Sequence, residues 1–158
     1  MNGEQKGIIG EPILINGIYI GRSQSGHKWF HVKVDDLKPI YDRTFNFVDS
    51  FQSVGEAWTA RVIIEREDED KTKDWFHISL NGEPLYPERY EFVDFFYEGL
   101  ARARQWNGKW LYISPDGSPA FEGVVFDAAH SFKNGKAEVL NGEKWTTISA
   151  AMKFVAAA

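Results

Sequence analysis

Apolar and polar residues alternate over short segments of this chain, and no long stretch follows a helical period. One segment shows the alternation clearly, because one of its faces carries Trp110, Tyr112 and Ser114 and the other carries Leu111 and Ile113. A period of two residues is typical of a β-strand, and large apolar side chains on both faces favour a strand packed between neighbours. The pattern predicts an all-β protein with little helix.

The strands recur as a tandem unit. A tryptophan begins a strand at four places, and the last three of them are 35 residues apart: Trp29, Trp75, Trp110 and Trp145. The longer first interval contains the charged run 65–74, which predicts an expanded, solvated loop in that hairpin. A fixed period of this length indicates a repeat architecture. We expect tandem ~35-residue antiparallel β-hairpin repeats packed as a solenoid, a small propeller or a twisted sandwich.

These units predict a single β-repeat domain over residues 1–158. Units start near the four tryptophans, residues 1–26 form an N-terminal cap hairpin, and residues 150–158 form a tail that is either a short helix or a frayed end. Two Asn-Gly pairs, at 107–108 and 141–142, come before tryptophan strands. Asn-Gly is the strongest short hairpin signal, so we expect type I′ turns at both places.

The unit that matches a known pattern best is residues 108–117, which read Gly-Lys-Trp-Leu-Tyr-Ile-Ser-Pro-Asp-Gly. This resembles the WG-repeat family of bacterial proteins, with the likeness extending over about residues 27–149. The chain departs from the family name because other residues replace the Gly after Trp: Phe30, Phe76, Leu111 and Thr146. The resemblance implies a β-repeat architecture and a binding role, and it transfers no catalytic residue.

Charge and composition narrow the classes of partner. The formal net charge is −5, which repels phosphate backbones and anionic membrane surfaces, so we expect neither a nucleic acid nor a membrane as partner. With no cysteine, the chain has no disulfide and no thiolate metal site, which fits a cytoplasmic protein. We read no signal peptide at the N-terminus, and no apolar run is long enough to cross a bilayer.

Titratable residues at equivalent repeat positions raise the question of an active site. His31 and His77 could converge on a metal or act as acid and base, but Tyr and Thr replace them in later units, which favours a packing role. The acidic residues Asp49, Asp94 and Asp127 follow phenylalanines and could face a cation, but a turn-forming role is commoner for such positions. We therefore expect no enzyme activity, no metal and no cofactor.

Binding residues are predicted away from the repeated tryptophans, which we interpret as core. The candidates are two off-column tryptophans, one tyrosine and two arginines that share a strand face: Trp58, Trp106, Tyr97, Arg102 and Arg104. Aromatic and arginine side chains of this kind are typical of protein-binding surfaces. The favoured function is a protein-binding or scaffold module, of which an acidic inhibitor or immunity-type protein is one version.

Two other functions remain open from the sequence. The exposed aromatic residues could instead bind a small ligand or a glycan by stacking. An enzyme would require His31 and His77 to share one pocket. An unpaired last strand would in addition favour homo-oligomers through a β-edge, or the addition of a strand from another chain.

Overall fold

The computed structural model describes residues 7–152, and its regular secondary structure is almost entirely β-strand. In chain order the strands are β1 (Ile9–Ile15), β2 (Ile18–Ser25), β3 (Lys28–Lys33), β4 (Phe47–Val48), β5 (Gln52–Val54), β6 (Ala57–Glu65), β7 (Lys73–Ile78), β8 (Phe92–Val93), β9 (Ala101–Arg104), β10 (Trp110–Ile113), β11 (Ala128–Ala129), β12 (Lys136–Asn141) and β13 (Lys144–Ser149). Short 3-10 turns occur at Phe121–Gly123 and Ala150–Met152. The predicted all-β class is confirmed.

The chain divides into two compact units, Met1–Pro84 and Leu85–Ala158. The first unit contains a sheet of order β1-β2-β3 and a sheet in which β6 pairs with β4, β5 and β7. The second contains sheets of order β10-β9-β8 and β11-β12-β13. All pairings are antiparallel, as the hairpin repeats predict. The single domain over 1–158 stays a prediction, and residues 1–6 of the predicted cap and 153–158 of the predicted tail lie outside the described residues.

Each tryptophan strand pairs with a middle strand, which pairs in turn with an earlier strand: a two-residue strand for β7, β10 and β13, and the seven-residue β1 for β3. After β3 and β10 the chain turns back and runs beside the tryptophan strand, in what we call the return segments, residues 38–45 and 118–126. The main chains of Trp29 and Phe45 exchange two hydrogen bonds of 2.7 and 2.9 Å, and those of Trp110 and Phe126 exchange two of 2.8 Å. The repeat is therefore a four-stranded antiparallel unit whose last strand is irregular.

The turns differ from those predicted. Asn107 is not among the residues of positive φ, and the turn instead closes with Gly108 at φ 86° and a Gly108 N–H to Gln105 C=O bond of 2.9 Å. Asn141 is the last residue of β12, so the second predicted turn begins one residue later. The expected type I′ turns were wrong at both places, although hairpins do form there. Positive φ at both turn residues occurs instead at Asn134-Gly135, where φ is 53° and 77°.

The expanded loop at residues 65–74 is partly an extension of the strands. β6 and β7 stay paired out to Glu65 and Lys73. The exposed tip beyond them is ordered by Arg66, whose guanidinium donates to both carboxylate oxygens of Asp74 at 2.7–3.2 Å. The predicted solvated loop tip is confirmed.

Aromatic rings around Tyr112 form the core of the second unit. Tyr112 is 1% exposed and makes edge-on contacts with Phe121, Phe126 and Phe132, whose ring centroids lie 5.7, 6.0 and 4.9 Å away. These residues come from β10 and from the chain that follows it. The return segment thus completes the core around the tryptophan strand.

Candidate functional site

An arginine on the middle strand lies beside the tryptophan of the next strand. Arg102 on β9 lies across from β10, with its guanidinium carbon 5.0 Å from the centre of the Trp110 ring. The same guanidinium donates to the Asp94 carboxylate at 2.7 Å and to the Ala129 carbonyl at 2.7 Å. The Arg102 guanidinium therefore contacts residues of three neighbouring segments, Asp94, Trp110 and Ala129, an arrangement that we call the arginine clamp.

The clamp recurs in the first unit. Arg61 pairs with the Asp49 carboxylate at 2.6 Å and lies 5.1 Å from the Trp75 ring centre. Arg22 lies 5.7 Å from the Trp29 ring and donates to the Val48 carbonyl at 3.3 Å. Partly buried charge-assisted bonds with planar stacking suit arginine better than lysine. This use of arginine and aspartate is structural, and the sequence pattern had not paired them.

Arg102 was predicted as a binding residue. It is engaged by the clamp, and its side chain is 27% exposed. The strand alternation was right, since Arg102 and Arg104 share a face while Ala101 and Ala103 are fully buried on the other. The two arginines nevertheless differ in environment, because the Arg104 side chain is 45% exposed.

His31 is buried, at 1% exposure, and both of its ring nitrogens are used. Nε2 lies 2.7 Å from the Asp49 carbonyl, which can only accept, so this nitrogen carries the proton. Nδ1 then accepts from the Tyr41 hydroxyl at 2.6 Å. Burial lowers the pKa of His31 to about 4, against the Asp49 hydrogen bond, which raises it. The imidazole is therefore neutral, and its two hydrogen bonds link β3 to Tyr41 and Asp49 later in the chain.

His77 is also 1% exposed. Tyr112 holds the corresponding place on β10, and its hydroxyl donates to the His130 carbonyl at 2.7 Å. Two residues after the tryptophan, at His31 and Tyr112, a buried polar side chain therefore donates a hydrogen bond to a main-chain carbonyl later in the chain. Between residues 7 and 152 no three His, Asp or Glu side chains gather as a possible metal site.

The third acidic residue of the predicted column, Asp127, does not belong to it. The residues that bond to the middle strand at this position are Asp49, Asp94 and His130, whose N–H groups donate to the carbonyls of Arg61, Arg102 and Glu138. Asp127 lies three residues earlier, where it pairs with Lys109 and accepts from the Gly142 N–H. The predicted position of Asp127 was wrong because Phe126 corresponds to Phe45 of the return segment and not to Phe47.

The end of the β9–β10 hairpin presents an exposed aromatic side chain among charges, and we call Arg89, Glu91, Arg104 and Trp106 the Trp106 patch. Trp106 is 45% exposed, and its indole N–H donates to the Arg89 carbonyl at 3.3 Å. Arg104 pairs with Glu91 at 2.9 Å. The hydrogen bond anchors the indole N–H while 45% of the residue stays exposed.

The other two predicted binding residues lie elsewhere. Tyr97 is 42% exposed and sits at the turn that leads into β9, where its main chain pairs with Leu100. Trp58 lies on β6 of the first unit, opposite Ser53, and is half-buried. The second unit thus carries four of the five predicted residues, and only Arg104 and Trp106 fall within the Trp106 patch.

A cleft of about 300 Å³ in the first unit was missed by the sequence analysis. Its aromatic wall is made by Trp29 and Phe47, whose ring centroids are 5.2 Å apart. Ile63 and a set of polar and charged residues complete the lining: Gln24, His27, Asn46, Glu65 and Lys73. The four repeated tryptophans had been interpreted as core, and this was wrong: Trp29, Trp75 and Trp110 are half-buried and Trp145 is exposed. No signal in the repeat pattern separates a half-buried tryptophan from a buried one.

No helix in the part of the chain that the structure describes has the length and apolar character to cross a membrane.

Comparisons with known proteins follow the repeat boundaries. A family model described as "WG containing repeat" matches residues 75–110 and 112–145. No curated protein sequence matches the chain. Among solved structures it is similar to the crystal structure of the computationally designed Ika4 protein, at 10% identity and a TM-score of 0.42, over 91% of this chain and 92% of that one.

Proposed function

This chain carries WG-containing repeats, and on that premise we propose that it is a non-catalytic module whose ligand is another protein. The observation that carries the proposal is the Trp106 patch. Tryptophan and arginine dominate the energetics of protein interfaces, and an indole already held in place loses little freedom on binding. Paired charges around it supply a polar rim.

The broader setting is part of the same proposal. The module is bacterial and cytoplasmic, and with a net charge of −5 it selects a protein rather than a nucleic acid or a membrane. An acidic inhibitor or immunity-type protein is one form that such a module takes. Self-association through a β-edge is compatible with this role.

The test is an affinity pull-down from the lysate of the native host, followed by titration of the purified partner. Three proteins are compared: the unmodified chain, Trp106→Ala, and Tyr19→Ala as a control whose tyrosine is 54% exposed outside the patch. We expect Trp106→Ala to weaken binding at least about 30-fold, the effect of losing a 2 kcal/mol anchor. Equal affinity of all three proteins would contradict the proposal.

The Trp29–Phe47 cleft supports a second candidate function, the binding of a small ligand such as a glycan. Its aromatic wall with convergent amide and charged groups is the usual make-up of a small-molecule site. Tryptophan fluorescence during titration with a broad glycan panel tests this, with Trp29→Phe as the variant expected to lose the signal. No spectral change with any sugar would exclude glycan binding.

A further inference from the structure

The tryptophan strands β3 and β10 are each covered by a return segment through the same set of main-chain bonds. The Trp N–H and C=O groups bond to the aromatic residues Phe45 and Phe126. Two residues further on, the carbonyls of His31 and Tyr112 accept N–H groups at 3.0 and 2.9 Å. In both units the accepting strand also bridges to a proline, Pro39 or Pro119. An extended segment with a proline and an aromatic residue is thus the normal cover of this strand edge.

The last hairpin presents the same edge without that cover. Trp145 and Thr147 lie opposite Leu140 and Glu138, the register that Trp110 and Tyr112 have with Arg104 and Arg102. Their main-chain groups therefore point away from β12, as those of the covered strands point towards the return segments. Within residues 7–152 no segment bonds to this side of β13.

Side-chain exposure shows the same difference. Lys144, Trp145, Thr146 and Thr147 are all exposed, and Trp145 reaches 48%. The corresponding Leu111 and Tyr112 on β10 are 4% and 1% exposed. A straight, unpaired strand edge that carries an exposed tryptophan is a template for strand addition.

We propose that the outer edge of β13 is a peptide-binding site that takes an extended segment of a partner protein, antiparallel to β13, with an aromatic residue opposite Trp145. The occupant has the chemistry of the return segments: a proline near Ile148, the position that corresponds to Val32 and Ile113, and a phenylalanine or tyrosine near Trp145. This site is distinct from the Trp106 patch and does not depend on it.

A second copy of β13 fits less well. Two β13 strands paired antiparallel about Thr147 would place Trp145 opposite Ser149, so neither tryptophan would face an aromatic residue. In the covered strands the residue opposite the tryptophan is Phe45 or Phe126. The register that recurs within the chain therefore favours an aromatic-bearing peptide over self-pairing.

The probe is a synthetic peptide with the sequence of residues 118–127, which contains the return segment of β10, titrated into the ¹⁵N-labelled full chain. We expect shifts centred on the amides of β13, and slowed hydrogen exchange of the Trp145 N–H. A peptide with aspartate in place of Phe126 should bind about tenfold more weakly, the effect of losing one aromatic contact.

Protein variants locate the site. Thr147→Pro blocks the outer edge while leaving the β12 ladder intact, because the Thr147 N–H points outward. Trp145→Ser gives an independent variant in case the proline disturbs the hairpin. Both should lose peptide binding, and Trp106→Ala should keep it, which separates this proposal from the proposed function.

Four results would overturn the proposal. These are no shifts at millimolar peptide, equal binding of the aspartate peptide, shifts that persist in both β13 variants, or a Trp145 amide already protected in the chain alone. Protection in the chain alone, together with a dimeric mass in light scattering, would identify a second copy as the occupant.

Discussion

The strands β10 and β13 occupy equivalent places in neighbouring sheets of the second unit, but they are built differently. On β10, Tyr112 is 1% exposed and surrounded by phenylalanines, whereas Thr147 at the same position of β13 is exposed. Beside β10 stands the clamp of Arg102 with Asp94. Beside β13 the same positions hold Glu138 and His130, and the His130 ring lies 5.3 Å from that of Trp145.

The difference shows that the repeat has two levels of information. The tryptophan and the turn are present in both hairpins, β9–β10 and β12–β13, because they build the hairpin itself. On the β9–β10 hairpin the Arg102 clamp and the buried Tyr112 accompany a return segment, and they bond to the main chain beyond that segment, at Ala129 and His130. Loss of those residues in the last hairpin therefore marks an edge that the described chain leaves open.

The largest effect is expected for the residue that the cover buries. Tyr112→Ala removes a fully buried ring and its bond to the His130 carbonyl, so the free energy of unfolding should fall by about 3–5 kcal/mol. The counterpart Thr147→Ala should change it by less than about 0.5 kcal/mol. Chemical denaturation of both variants measures the contrast, and similar losses in the two would break the comparison.

A pH effect is expected from the buried histidine of the first unit. Unfolded His31 takes up a proton below its usual pKa of 6.5, whereas in the fold it stays neutral until about pH 4. The contribution of neutral His31 to the free energy of unfolding is fully present above pH 6.5 and is lost as the pH falls towards 4. At about 1.4 kcal/mol per pH unit the total loss is about 3 kcal/mol.

Denaturation curves at pH 7, 6, 5 and 4 measure this loss. His31→Gln should be less stable at pH 7 but should lose most of the slope between pH 6.5 and 4. Val32→Ala serves as the control, because Val32 is buried on the same strand and its replacement lowers stability without changing a titratable group, so the slope should stay as it is. An unchanged slope in His31→Gln would contradict the prediction.

A smaller effect is expected from breaking the clamp. Arg102→Met keeps the stem but leaves Asp94, which is 8% exposed, without its cation. We expect a loss of about 2 kcal/mol, below the range for fully buried pairs because the Arg102 side chain is partly exposed. The equivalent change Glu138→Met on the last hairpin should be nearly neutral. Thermal unfolding of the pair of variants decides this.

The smallest expected effect comes from introducing the clamp residues, arginine and aspartate, at the equivalent positions beside β13. The double variant Glu138→Arg with His130→Asp places an arginine beside Trp145 and a carboxylate within reach. An exposed ion pair with a cation–π contact should raise the free energy of unfolding by about 0.5–1 kcal/mol. A destabilised double variant would show that the clamp needs the covering segment to form.

Sequence reasoning predicted the hairpins well and their side-chain environments less well. The tryptophan column and the alternation on β10 follow from local periodicity, which each strand carries in itself. Asp127 was misaligned because Phe126 belongs to the return segment, and the irregular spacing of that segment has no periodic signal. The Trp29–Phe47 cleft was missed for a similar reason, since its walls come from different repeats.

The sequence by itself determined the all-β class, the tandem hairpins and the WG-type repeat, because turn residues and two-residue alternation act over a few neighbouring positions. Tertiary structure decided which tryptophans are covered, which arginines are clamps and where an edge stays open. Those properties depend on residues far apart in the chain, such as Arg102 and Ala129, and no local pattern records which distant groups will meet.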